Sequence, residues 1–325
     1  MVRISTQAQN DMALSMTLNA KSNIFDLHNQ LSTGVKAQSY SEIAQDTNRL
    51  INLKGQIQQS EKFLNNLQIA KERIELTSNT LSQISELTRN FDRFLKQSLD
   101  ASDANELNNN AELGQKAKDI LIQLTDLLNI RYGDRYIFGG EVTDVAPVDI
   151  TSSSYSSPQD PATFGGYDTT QNLSYFKGDT EQTSLRISVN TEIEYGVSAG
   201  NSTFEKLIRT LDIFAQMDSS TPYQFTDPVD GAQRNAMNDA ANELATIIDE
   251  IKGHSLRVSL EDSSIGNAKK MHENFNTFAK QNVNEIESAD STEVFTKLQA
   301  QQNQLQASFV SLSRLQNLNL MDFLR

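Results

Sequence analysis

The sequence predicts a mainly α-helical protein with a β-rich insertion. Its long antiparallel helical hairpins pack as a coiled coil, and the insertion forms a small outer α+β or all-β domain. Three observations predict this. From Phe63, residues Leu67, Ala70, Ile74, Thr77, Leu81, Ile84, Thr88, Phe91 and Leu95 alternate four and three without a slip, which is the signature of a rod-like helix. Three of the five prolines, Pro147, Pro158 and Pro161, fall with Gly165-Gly166 in one central stretch, where no long helix can form. A hydrophobic content of 37% with mean hydropathy −0.49 suits helices that bury thin stripes and leave wide polar faces.

The first helix is expected over residues 6–31, with Ala13, Thr17, Ala20, Ile24, Leu27 and Leu31 on one face and a stop at Ser32-Thr33-Gly34. A polar connector, 35–41, leads to the rod helix, whose packing face is carried by Phe63, Leu67, Ile74, Leu81, Ile84, Phe91 and Leu95. A break over 100–110 precedes a third helix with Leu113, Ala117, Ile120, Leu124 and Leu127, and so short a connection implies an antiparallel hairpin. Residues 131–140 are aromatic and glycine-rich and read as a turn and short strand. From 141 to about 201 the signals are β or loop, with Leu185-Arg186-Ile187-Ser188-Val189 alternating as a strand.

Helical spacing resumes after Thr203, the expected N-cap, at Phe204, Leu207, Ile208, Leu211 and Phe214. A loop with Pro222 and Pro228 follows. One helix then carries Ala236, Ala240, Leu244, Ile247 and Ile251, and a further one Met271, Phe275, Phe278 and Ile286. The last stripe runs through Phe295, Leu298, Leu305, Phe309, Leu312 and Leu315, interrupted only at Gln302, toward Leu320, Met321, Asp322, Phe323 and Leu324.

Composition excludes several classes of function. A net charge of −14 offers no basic patch for nucleic acid. The seven acidic residues against one basic, Lys177, between 141 and 181 read as a solvated surface. With no cysteine there is no disulfide, thiolate catalysis or Cys-ligated metal. Residues 1–20 show no secretory signal, and no run of 18 apolar residues crosses a membrane. His272-Glu273 starts like a zinc-protease helix, but position 276 is Asn. His28, His254 and His272 sit on three separate helical segments and read as surface or helix-face residues. Gly139-Gly140 and Gly165-Gly166 lack the partners of a phosphate loop, and Asp227 and Asp230 lack EF-hand spacing. No catalytic, cofactor-binding or metal residue is expected, and the chain reads as a non-enzyme.

The ends carry a physical problem. Ordering a lone helix costs about 1–2 kcal/mol per residue, and burial at about 25 cal/mol per Å² along a thin stripe does not offset it. Residues 1–46 and 284–325 are therefore expected to be coiled-coil segments, disordered in the monomer and ordered on assembly. Residues 47–140 and 204–283 would form a helical core, and 141–203 the outer domain. The rival reading is a self-contained helical adaptor, its ends capping an ordinary bundle.

Nearly the whole chain resembles the bacterial flagellin superfamily. Ile4-Ser5-Thr6 and Gln30-Leu31-Ser32-Thr33-Gly34 resemble its N-terminal motif, and Ser39-Tyr40-Ser41-Glu42-Ile43-Ala44-Gln45-Asp46 occupies the place of its loop between terminal coil and core. Within it, the likeness is to the hook-associated proteins of the hook–filament junction. Arg135-Tyr136-Ile137-Phe138-Gly139-Gly140 resembles their turn into the outer domain. Tyr175-Phe176-Lys177-Gly178-Asp179, with Arg186-Ile187 and Phe204, resembles the return path, and Leu305-Gln306-Ala307-Ser308-Phe309 through Phe323-Leu324 the C-terminus.

The resemblance implies an extracellular structural subunit joining hook to filament, exported by the flagellar type III apparatus without a cleaved signal peptide. It implies copies of itself, flagellin, another hook-associated protein and an export chaperone as partners. The implied assembly face is Ile4, the N-terminal and C-terminal stripes above, and Leu320, Phe323 and Leu324. A filament-forming flagellin is the alternative. Where many flagellins carry a receptor-recognised segment, Leu81-Ser82-Gln83-Ile84-Ser85-Glu86-Leu87 has Ser85 in place of the expected arginine, so innate-receptor recognition is not carried over. The insertion is also short.

Overall fold

A computed structural model describes residues 2–37, 39–43, 45–100, 106–159, 166–216 and 231–323. Among them the chain is mostly helical. Helix α1 spans Val2–Thr33, and a 3-10 turn spans Tyr40–Ile43. Helices α2, α3 and α4 span Thr47–Asp100, Glu106–Leu128 and Ser202–Ala215. Helices α5 and α6 span Gly231–Glu287 and Ser291–Phe323. Two small antiparallel hairpins interrupt the helices. Strand β1, Arg131–Tyr132, pairs with β2, Arg135–Tyr136, and β3, Thr183–Arg186, pairs with β4, Glu192–Tyr195. The fold is thus mainly α with a small β insertion.

The chain divides into two compact units, one of residues 1–61 with 273–325 and one of 62–272, the division falling within α2 and α5. In the second unit, every position of the four–three alternation on α2 is buried except Phe63 at its head, which is half-buried. That stripe meets Leu113, Ala117, Ile120 and Leu124 of α3 and Ala240, Leu244, Ile251 and Val258 of α5 in one continuous core. Threonines on the stripe are tolerated because Thr77 and Thr88 return their hydroxyls to the carbonyls of Arg73 and Ile84, one turn back. Helix α5 runs antiparallel to α2, with Lys71 bonded to Asp262 and Gln68 to Lys269.

Several expectations are corrected. The helices expected around 236–251 and 271–286 are one helix, because Gly253 and Gly266 lie inside it with open space around them and cost it little more than propensity. Helix α3 begins earlier than read from sequence, at Glu106. The N-cap of α4 is Asn201, not Thr203: the Asn201 side chain accepts a hydrogen bond from the Thr203 amide at 3.0 Å. The strand read at 185–189 sits two residues earlier, and Val189 is exposed in the turn at its end. Pro161, Gly165, Pro222, Asp227, Pro228 and Asp230 lie outside the described residues.

The insertion has little regular structure, yet it is packed. Val148, Tyr167, Tyr175, Tyr195 and Val197 join the same hydrophobic core as Phe204, Leu207 and Phe214 of α4. Long irregular segments are stabilised here by aromatic side chains rather than by a sheet.

Candidate assembly surfaces

In the first unit, Gly34 ends α1 in the left-handed region, with φ +71° and its amide donating to the Gln30 carbonyl at 2.8 Å. Its carbonyl accepts from Ala289, and the Lys36 amide donates to Glu287, so the end of α1 is stitched to the link between α5 and α6. Asp290 then caps α6, accepting from the Thr292 and Glu293 amides. Helices α1 and α6 depart from this stitch and pack along each other antiparallel.

Their seam buries Thr17, Ala20 and Leu298, with Ala13, Ile24, Leu27 and Leu305 half-buried. The seam residue at the head of α6 is Val294, which sequence reading missed. Phe295, expected there, is 53% exposed. A stripe read one residue out of phase is an ordinary error where Val-Phe adjoin, and only the partner helix decides it. Leu31 and Phe309 are exposed, and Lys21 lies 5.8 Å over the Phe309 ring. The side chains of Ile4, Leu312, Leu315, Leu320 and Phe323, and all of Leu324, lie outside the described residues.

Helix α1 is apolar beyond its seam. Leu14, Leu18 and Phe25 are all more than half exposed and share a second face at spacings of four and seven, while Met12 and Met16 mark a third. Two helices cannot cover three stripes.

In the second unit, the three sequence stretches around Gly139, Phe176 and Gly200 converge. The Asp179 amide donates to the Gly139 carbonyl, Lys177 to Pro147, Asp149 to Tyr175, and Ala199 to Phe138. Phe176 is collared by glycines: a Cβ on Gly178 or Gly200 would sit 2.8 Å or 2.6 Å from its ring. Below this collar, Glu205 and Arg209 of α4 form a buried ion pair at 2.9 Å that also binds the insertion, Glu205 accepting from the Asn172 amide and Arg209 donating to the Asp168 carbonyl. Sequence reading missed this pair, although two opposite charges four apart in a run otherwise reading Phe-Glu-Lys-Leu-Ile-Arg-Thr-Leu are its signal.

His254 and His272 have packed structural neighbours. His272 is buried rather than on the surface, stacked on Phe63 with Nε2 2.8 Å from the Ile187 carbonyl. His254 stacks on Phe204, and burial, with the Arg257 charge nearby, pushes it below the ordinary imidazole range. Among the described residues no three His, Asp or Glu side chains converge as a metal site, and no helix is long and apolar enough to cross a membrane.

Compared with solved structures, the chain is similar to a Vibrio parahaemolyticus protein assigned as flagellar hook-associated. The match has a TM-score of 0.56 at 12% identity over 76% of this chain and 100% of that one. It is similar also to FlgL of Bacillus cereus, with TM-score 0.52, 16% identity and coverage of 73% and 99%. FlgL of Xanthomonas campestris gives 0.50, 13%, 70% and 97%. This is the hook-associated protein fold. No protein-family model and no curated relative matches the sequence, so the likeness is one of fold. Ser85 occupies a groove between α2 and α5 together with Arg89.

Proposed function

We propose that the chain is a structural subunit of the bacterial flagellum that joins the hook to the filament, in the position of hook-associated protein 3, and that it is not an enzyme. The observation that carries this reading is the paired α1 and α6, whose seam leaves the Leu14, Leu18, Phe25 face of α1 uncovered in a chain with the hook-associated fold. An apolar face of that length is satisfied by further helices. The partners are copies of the same chain, flagellin on one side and another hook-associated protein on the other, after export through the type III apparatus with a chaperone. On this reading, residues 1–46 and 284–325 order on assembly, 47–140 and 204–283 form the rod, and 141–203 face outward.

The test is removal of the chain from its cell. Hooks without filaments, with flagellin shed into the medium and filaments restored by re-expression, are the expected outcome. Long filaments formed by the purified chain alone would support a filament-forming flagellin instead.

A further inference from the structure

We propose that copies of this chain bind side by side through the 62–272 unit, a ridge on α5 of one copy entering the groove between α2 and α3 of the next. This rests on the assembly reading above and names the surface. The ridge is Lys252, Leu256 and Leu260, a row four residues apart. Both leucines point away from the core, 68% and 70% exposed, and Met271 continues the same face of the helix at 53%. Two leucines so fully offered to water on the outer side of a helix whose inner side is already packed add nothing to the hydrophobic core of the unit.

The receiving groove lies on the other side of α2. Its volume is about 390 Å³, with the half-buried Leu87 and Leu127 among its walls and Glu86 and Asp126 beside them. Its α2 wall runs from Gln83 to Asn90, roughly 10 Å at 1.5 Å per residue, and the ridge from 252 to 260 runs roughly 12 Å. Length and apolar content therefore match.

Charge selects the pairing. The acids Glu86 and Asp126 line the groove with no basic residue among its walls. The hollow beside the ridge is lined by Arg89 and Lys252 with no acid. Lys252 pairs with Asp249 at 2.7 Å, but both are more than half exposed, and such a pair exchanges easily. Ridge against ridge offers Arg89 and Lys252 no acid beyond Asp249, which Lys252 already holds, and groove against groove sets acid on acid. Only ridge into groove is complementary, so the contact is head-to-tail and propagates into a ring or a helical array instead of stopping at a dimer.

The natural absence of cysteine permits a direct test. Full-length chains carrying Leu256→Cys, Gln123→Cys or both are concentrated and treated with a short bis-maleimide, and the same is done on isolated flagella. The double variant should give a ladder of multimers, an equal mixture of the two single variants only dimers, and each single variant alone no adduct. Lys252→Glu in the double variant should cut the ladder at least tenfold, and adding Glu86→Lys with Asp126→Lys should restore it. Dimers from Leu256→Cys alone, or no ladder from the double variant in either preparation, would overturn the proposal. A chain found in flagella without a ladder removes this interface and leaves the junction reading. A ladder from a chain absent from flagella does the reverse.

Discussion

Arg209 and Glu205 lie one turn apart on α4 with Nε 2.9 Å from Oε1 and side chains only 6% and 3% exposed, so the pair is a buried charge couple in a helix that is otherwise core. The insertion also binds the pair: the Asn172 amide donates to the same Glu205 Oε1, Arg209 Nη1 donates to the Asp168 carbonyl, and the guanidinium lies 5.6 Å over the Tyr167 ring. Removing one partner leaves the other charged, dry and alone. Arg209→Ala is expected to cost about 3–5 kcal/mol, whereas Arg209→Met combined with Glu205→Leu should recover most of that loss. A double-mutant cycle in denaturant measures it, and additive losses would mean that the two side chains are not coupled.

Two aspartates beside this pair should give stability opposite slopes with pH. Asp212 is buried and accepts from Tyr155 at 2.8 Å. Burial holds its carboxyl above the ordinary range, against the hydrogen bonds that favour the ionised form. A raised carboxyl binds its proton more tightly folded than unfolded. Its contribution is greatest below the ordinary carboxylate range and is lost as pH rises through the raised value. Asp212→Asn keeps the acceptor for Tyr155 and should raise the thermal midpoint more at pH 7 than at pH 4.

Asp168 is buried too, which alone would raise it. The Gln159 and Thr170 amides together with Arg209 outweigh that burial and hold it below the ordinary range. Its contribution is present above the ordinary range and lost as pH falls through the depressed value. Asp168→Asn should therefore lower the midpoint at pH 7 and leave it nearly unchanged in acid. Parallel pH profiles for the two variants would contradict both assignments.

Gly200 of the collar and Gly139 beside it should rank by what a methyl group meets. On Gly139 it would lie 2.1 Å from the Val142 carbonyl oxygen, a backbone atom that cannot step aside, whereas on Gly200 it meets the Phe176 ring. Gly139→Ala is expected to be the more damaging, by about 1–3 kcal/mol or more. Gly200→Ala should be partly rescued by Phe176→Leu and Gly139→Ala should not. Thermal unfolding of the four variants decides it.

What the sequence made legible follows from how each residue is held. The α2 stripe from Leu67 to Leu95 is legible because a helix packed along its length repeats one demand every three or four residues. The half-buried seam positions Ala13, Ile24 and Leu27 were legible for the same reason. Val294 was not, since Val and Phe side by side are equally apolar and only the neighbouring helix selects one. The collar was legible only as aromatic and glycine motifs. Their meeting depends on residues more than thirty positions apart, Gly139 with Asp179 and Phe138 with Ala199, and no local period reports such pairs. The continuity of α5 rests on Val258, Ile265 and Ala268, which carry its packed face across the gap between the two stripes read from sequence, past Gly253 and Gly266.

The terminal pair offers the sharpest separation of folding from assembly. Leu305 is half-buried on α6, in the unit formed by residues 1–61 and 273–325, and contributes nothing to the core of the 62–272 unit. An aspartate there would place a charge in an apolar seam, and the α1–α6 pair has only thin stripes with which to absorb that cost. Leu305→Asp is expected to leave the main cooperative unfolding transition within about 0.5 kcal/mol of wild type. It should abolish recovery of the chain in isolated flagella. Brief proteolysis of the dilute protein should cut the variant faster than wild type near both ends while sparing the 62–272 unit. Loss of the cooperative transition would move Leu305 into the core. Wild-type recovery in flagella would mean that the α1–α6 seam is not what the assembly reads.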